Sequence, residues 1–340
     1  MAISLQTVRT TNNRLSSVKG PHVALFVGAT SGIGLGTLRE FAQHAAEPRV
    51  YFVARNAKKA SAITDDLRAL NPRGKYEIIE KDVSLVKDAT AVAELVKAKE
   101  STLDLLFLSV GFVSLDGRQA DLFPDTAEGL EASMATRYYS RLRITQLLLP
   151  LLNQSKRSPH VVSVLAGGQE GALKEDDLGL AQANKNFSVM SAAVHSTTMG
   201  TLALEKLAAE NPRVSFVHTY PGVVATPLLD RVATGFVGLL FRFLLAPLIR
   251  LFGRSAAEAG QLGLFYATSE RYSVDGGLVS LSEAGGPLKK GTRSNGGQGI
   301  FLVGAGGDSV DNEKALVSLR KKDMERKVWE HTEGVFNSVG

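Results

Sequence analysis

The chain has 340 residues, 44% of them apolar and 21% charged, with a formal net charge of +5 and no cysteine. That is the composition of an ordinary globular protein. It excludes disulfides, Cys-ligated zinc and thiol nucleophiles, and without a dense basic run interleaved with aromatics it argues against nucleic acid as a partner.

Residues 1–20 read as a polar lead-in with no apolar core of signal-peptide length, so the cytoplasm is the expected location. His22–Val27 is an apolar run of the kind a buried parallel strand requires. Gly28, Gly32 and Gly34 follow, and then a helix expected over Leu35–Ala46. A strand that passes through a Gly-rich turn into a helix builds an anion site. Backbone N–H groups can approach a diphosphate where no Cβ intervenes, and the helix N-terminus adds its partial positive charge. Thr30 and Ser31 place hydroxyls in the same turn, and Ile33 lies between two of the glycines.

Arg49–Ala54 reads as the second strand, with Arg55 directly after it and no acid between Val50 and Lys59. In dinucleotide folds an acid near this point binds the ribose 2′-hydroxyl, whereas an arginine accommodates a 2′-phosphate. The expected cofactor is therefore NADP(H). A helix over Lys58–Leu70 is ended by Asn71-Pro72. A strand over Tyr76–Glu80 leads to Asp82-Val83, and a helix over Val86–Lys99 precedes the almost wholly apolar strand Leu103–Val110. After a loop at 111–125 come a long helix over Ala127–Leu152, a strand over His160–Leu165, a helix over Asn186–Ala209 and a strand over Val214–Thr219 that ends in Tyr220-Pro221-Gly222. This alternation predicts an α/β fold with a doubly wound, Rossmann-like parallel sheet. No linker break interrupts it, so one domain covering 1–340 is expected.

Residues 226–254 read as a lid segment. Within it, Phe236–Phe252 is apolar except for Arg242 and Arg250, and it fits a cover over a lipophilic substrate, plain packing, or contact with a membrane surface. Its uninterrupted apolar runs are too short to span a bilayer. A helical stretch at 255–268, an irregular Gly-rich loop at 275–298, a last strand over Gly299–Gly304 and a charged helix at 311–332 complete the chain.

These motifs resemble the short-chain dehydrogenase/reductase family over about residues 20–270 and again at the strand near 300. Gly28 through Gly34 is similar to that family's glycine motif. The resemblance implies that Asp82 and Val83 contact the adenine and that Gly111 closes the cofactor-facing stretch after the fourth strand. Pro221, Gly222, Val224 and Thr226 resemble the Pro-Gly turn and the threonine at the nicotinamide end. The family's Asn-Ser-Tyr-Lys tetrad has no recognisable counterpart: Arg137, Ala166 (or Leu165 on a shifted alignment), Ser188 and Ala192 stand at the aligned positions. Arg137-Tyr138-Tyr139-Ser140-Arg141 and His195-Ser196-Thr197-Thr198-Met199 resemble a divergent fungal branch of the family associated with natural-product pathways, which implies polyketide or terpenoid chemistry.

Three residues are candidates for catalysis in place of the tetrad. Arg137 is suited to orienting a substrate oxyanion, Tyr138 to supplying a phenol from a neighbouring helix, and His195 to acid–base work near pH 7. Each has a packing role as its alternative, and the scattered histidines carry no metal-binding spacing. The expected function is an atypical NADP(H)-dependent oxidoreductase of a lipophilic small molecule. A non-redox isomerase or cyclase, or a cofactor-binding protein without turnover, is the alternative. A homodimer is left open.

Overall fold

The computed structural model describes residues 2–112, 125–181, 186–226, 243, 246–280, 288–292, 299–310 and 312–339. Its centre is a parallel sheet whose inner strands are buried on both faces, which is why they appear in the sequence as largely apolar runs, whereas the edge strand at 75–80 is partly exposed. The strands are β1 (Pro21–Val27), β2 (Glu47–Ala54), β3 (Lys75–Glu80), β4 (Leu105–Leu108), β5 (His160–Val164) and β6 (Ser215–Thr219). Beyond a two-residue pair formed by β7 (Val224–Ala225) and β8 (Arg254–Ser255), β9 (Phe301–Val303) completes the sheet. The order is β3-β2-β1-β4-β5-β6-β9, with every neighbouring pair parallel.

Helices cover both faces. On one side lie α1 (Leu5–Asn13), α2 (Gly32–His44) and α3 (Ala57–Leu70). On the other lie α4 (Val86–Lys99), the short α5 (Ala132–Met134), a π-helical turn at Ala135–Tyr139, α6 (Ser140–Gln154) and α7 (Val189–Glu210). Of the later helices, α8 (Ala246–Phe252) lies beside β7, and α9 (Ala256–Thr268) packs on α2. The last two, α10 (Glu313–Lys321) and α11 (Met324–Val339), close the α7 side. Two apolar cores result, one on each face of the sheet.

Several expected boundaries move. The lead-in is folded: Ser4 caps α1, Val8 and Leu15 are fully buried, and Asn12 donates to the Gln261 carbonyl of α9 at 2.9 Å. Its mainly polar composition masked Ile3, Leu5, Val8 and Leu15, which pack into the core on the α2 side. Helix α2 begins at Gly32 rather than Leu35, because the first turn carries no apolar periodicity. The long helix starts later than Ala127 and contains the π turn. The charged C-terminal helix is two helices, broken where Asp323 takes φ = +56°. Most of the predicted lid, 227–242, lies outside the described residues, as do 113–124 in the loop after β4 and parts of the 275–298 loop. No helix among the described residues is long and apolar enough to cross a membrane.

Candidate functional site

The chain runs β1 to β2 to β3 on one side of the sheet and then returns to place β4 on the other side of β1. A crevice opens outside the carboxyl ends of strands at such a switch, the place where ligands bind in open α/β sheets. Gly28 leaves β1 with φ = +90°, and a Cβ there would lie 2.3 Å from the Val110 nitrogen, so the turn rests directly on the end of β4. The Ser109 hydroxyl donates to the Gly28 carbonyl at 3.1 Å. Gly32 has φ = +57°, and its missing Cβ would sit 3.2 Å from Thr226 Cγ2. The structure thus brings the residue after β7 onto the glycine turn.

Helix α2 begins in this turn without a cap. Ser31 holds the N-cap position but makes no capping hydrogen bond, and the first turn carries no acid. The N–H groups of Gly32, Ile33 and Gly34 have no partner among the described residues; the first helical bond runs from Leu35 N to the Ser31 carbonyl at 3.2 Å. Helices α1, α3, α7 and α9 each place a Ser or Asn side chain over the donor that corresponds to the Gly34 N–H. Thr30 and Ser31 are exposed beside the free amides. Open donors, absent side chains and the helix dipole together fit a diphosphate.

The remaining predicted cofactor residues lie along the same edge. Arg55 is exposed just past β2 and has no hydrogen bond or ion pair among the described residues. The Lys81 N–H donates to the Ala54 carbonyl at 3.1 Å, which sets the end of β3 beside that of β2. Asp82, half-buried there, uses Oδ1 to accept from the Ser84 N–H at 3.0 Å, and Val83 is buried beneath it. Gly111 is exposed past β4. Pro221 and Gly222 are partly exposed past β6, and Val224 is buried. Arg254 pins this turn, donating to the carbonyls of Ala305 at 2.6 Å and Pro221 at 3.3 Å.

Two of the catalytic candidates are engaged elsewhere. Tyr138 is 1% exposed and its hydroxyl lies 2.6 Å from Thr332 Oγ1 on α11. Burial raises its phenol above the ordinary range. Tyr139 is stacked edge-on against it and bonds His331 Nε2 at 2.7 Å. Both phenols therefore fasten the C-terminal helix to the core, and the Tyr138 hydroxyl already has a partner there. His195 is also buried: Nδ1 donates to the Leu178 carbonyl at 3.1 Å and Nε2 accepts the Lys174 N–H at 3.1 Å. Burial lowers its pKa, so it is a neutral clamp on the 174–178 loop with both ring nitrogens taken. Ser188 caps α7, accepting from the Ser191 N–H at 2.9 Å, and Ala192 is buried one turn later.

Arg137 differs from these. It lies in the middle of the π turn, is 7% exposed, and its Cγ would be 3.1 Å from a Cβ on Gly111. Burial pushes its pKa down to about 10 against the opposing charge of Glu131, so it stays protonated at neutral pH. One turn on, Arg141 is also buried. Its guanidinium donates to the Val110 carbonyl, to Ser163 Oγ at 3.0 Å and to the Val164 carbonyl at 2.9 Å, tying the ends of β4 and β5 together. Sequence reasoning missed the roles of Arg141, Ser109 and Arg254. A charged residue inside the otherwise buried Ile144–Leu148 face of a helix was the available signal for Arg141; nothing local marked the other two.

Residues 22–235 match the family model described as short chain dehydrogenase. The NmrA-like family domain-containing oxidoreductase notO of Aspergillus sp. is 46% identical over 99% of this chain and 96% of its own. The oxidoreductase lepF of Aspergillus flavus is 35% identical over 99% and 98%. The short-chain dehydrogenase/reductase SAT2 of Stachybotrys chartarum is 31% identical over 91% and 90%. Among solved structures, the oxidoreductase yciK from E. coli superposes with a TM-score of 0.55 at 16% identity, covering 74% of this chain and 91% of that one. The Pseudomonas aeruginosa RhlG/NADP active-site complex superposes with a TM-score of 0.54 at 20% identity over the same shares. At those identities the structures speak for the fold alone.

Proposed function

The chain belongs to the short-chain dehydrogenase family, and from that premise we propose that it is an NADP(H)-dependent oxidoreductase acting on a lipophilic small molecule in natural-product metabolism in the cytoplasm. The observation that carries the reading is the uncapped start of α2 over the glycine turn, set against the end of β4 at the strand switch. In this reading the amides of Gly32, Ile33 and Gly34 hold the diphosphate, with the Thr30 and Ser31 hydroxyls beside it. Arg55 meets the 2′-phosphate, Asp82 and Val83 receive the adenine, and Thr226 with Val224 borders the nicotinamide. The nicotinamide supplies or accepts the hydride; the chain binds, orients and excludes water.

Support for NADP over NAD is the exposed, unpaired Arg55 with no acid on the β2 end. Support for a lipophilic substrate is the apolar 236–252 run together with Val223, Phe243 and Leu251, which are exposed. The natural-product setting rests on the likeness of Arg137–Arg141 and His195–Met199 to the fungal branch described above. One observation favours non-redox chemistry as the second reading. Ser188 is taken up as a helix cap and Ala192 is an apolar methyl, so the two positions aligned with the family's Tyr and Lys hold no activated phenol.

Mass spectrometry of small molecules co-purifying with the protein, followed by incubation of those molecules with NADPH and the protein, separates the readings. Oxidation of NADPH in step with product supports an oxidoreductase. Product without net cofactor change supports an isomerase or cyclase, and cofactor binding without product supports neither.

A further inference from the structure

Among the described residues, Arg137 is a buried cation with no anion bonded to it. Among the described residues no hydrogen bond and no ion pair reaches its guanidinium, although only 7% of the residue is exposed. A charge in that position is costly unless something completes it. The acid whose charge bears on it is Glu131, but that carboxylate is committed to the start of α5. It accepts from the Ser133 N–H at 2.9 Å, the Ser133 hydroxyl at 2.6 Å and the Met134 N–H at 2.8 Å. The other charge nearby, Arg141, has the same sign.

The place of the side chain is as informative as its lack of a partner. None of its nitrogens is among the sealed polar atoms that lack a partner, so the surface Arg137 retains lies at its head. Its stem packs against Gly111, which is exposed at the carboxyl end of β4 beside the glycine turn. The π turn that carries it is a rare backbone form, and such turns recur at functional sites because they re-aim side chains. Beneath it, Arg141 is held by the carbonyls of Val110 and Val164 and is part of the frame rather than a second free donor.

We infer that Arg137 binds an anionic oxygen group of the substrate, a carboxylate or the enolate of an acidic 1,3-dicarbonyl. The planar guanidinium matches such a group with two parallel hydrogen bonds. This rests on the oxidoreductase reading only in placing the substrate at this crevice; it adds that the substrate is an acid. The cofactor phosphates are not the anion meant, because the free α2 amides and Arg55 are provided for them.

The test titrates NADPH-loaded protein with two pairs of probes by calorimetry: naphthoate against naphthamide, and an ionised cyclic triketone against its neutral methyl enol ether. Which pair shows the larger gap tells carboxylate from enolate. In the unmodified protein at least one anion binds tighter than its neutral partner by about tenfold or more. R137Q abolishes that gap, and R137K retains part of it. R137Q and R137M melt at or above the temperature of the unmodified protein, because a lone buried charge has been removed, and their NADPH affinity stays within about twofold. Equal binding within both pairs, no anion binding at any concentration reached, or an unchanged gap in R137Q overturns the inference. So does a lower melting temperature with the gap intact, or a tenfold loss of NADPH affinity in R137Q. Failure of the unmodified protein to bind NADPH at all is a different outcome, and it overturns the cofactor reading instead.

Discussion

Helices α2 and α7 both start on the side of the sheet where the strands end, and their first turns are built in opposite ways. At α7, Ser188 and Ser191 cap each other reciprocally, so the Ser191 and Ser188 N–H groups are answered by the chain. At α2, Ser31 makes no such bond, the residues that follow are glycines and isoleucine, and three N–H groups are left without a partner. The same contrast separates the phenols from Arg137: Tyr138 and Tyr139 are bonded to the C-terminal helix, and the guanidinium is bonded to nothing described. Open backbone donors at a glycine turn and an unbonded guanidinium at a strand end are groups that a ligand can complete.

Substituting the open turn gives the largest effect. In Gly32→Val the new residue must adopt φ = +57°, a left-handed conformation that costs an L-residue about 1–2 kcal/mol. The side chain also screens amides whose charged hydrogen bonds are worth about 1.5–3 kcal/mol each. NADPH affinity measured by nicotinamide fluorescence should fall by about 100-fold or more while the far-ultraviolet circular dichroism is retained. Affinity within a few-fold of the unmodified protein would put the cofactor elsewhere.

Next in size is the choice between cofactors. Arg55→Asp sets a carboxylate against the 2′-phosphate, so NADPH affinity should drop by about tenfold or more, the loss of one charge-assisted contact, with NADH affected less. Equal NADPH and NADH affinities in the unmodified protein would remove Arg55 from the site.

The closed positions should respond in stability only, and least of all. Ser188→Ala removes a cap worth about 1 kcal/mol, and Tyr138→Phe removes one buried hydrogen bond worth about 0.5–1.5 kcal/mol. Each should lower the melting temperature by a few degrees and leave NADPH affinity and turnover of the co-purified substrate within about twofold. A loss of turnover of about 100-fold in either variant, the low end of what a proton-transfer group contributes, would show that a polar group answered by the chain still does chemistry.

How much of this was legible depends on whether the physical demand is local. The turn at 28–34 needs missing Cβ atoms at set positions, and glycine records that directly. Strands buried on both faces write themselves as apolar runs, so β1, β4, β5 and β6 stand out. Arg137 and Tyr138 were readable as a pair but not as opposites, because the five-residue π turn departs from the 3.6-residue period on which face assignments rest. Tyr138 and His195 find their partners at Thr332 and in the 174–178 loop, and no nearby residue announces either. The break at Asp323 has neither Gly nor Pro to signal it; aspartate takes the left-handed conformation unaided. For α1, Leu5 and Val8 among polar residues gave too sparse a pattern.

Amide hydrogen exchange with and without saturating NADPH tests the central contrast most directly, since it reads both helix starts in one sample. The account predicts strong new protection in peptides covering 28–36 and no change in those covering 188–195, with NADH giving less protection at 28–36 at the same concentration. Protection confined to 188–195, or none at 28–36 while NADPH is bound, would contradict it.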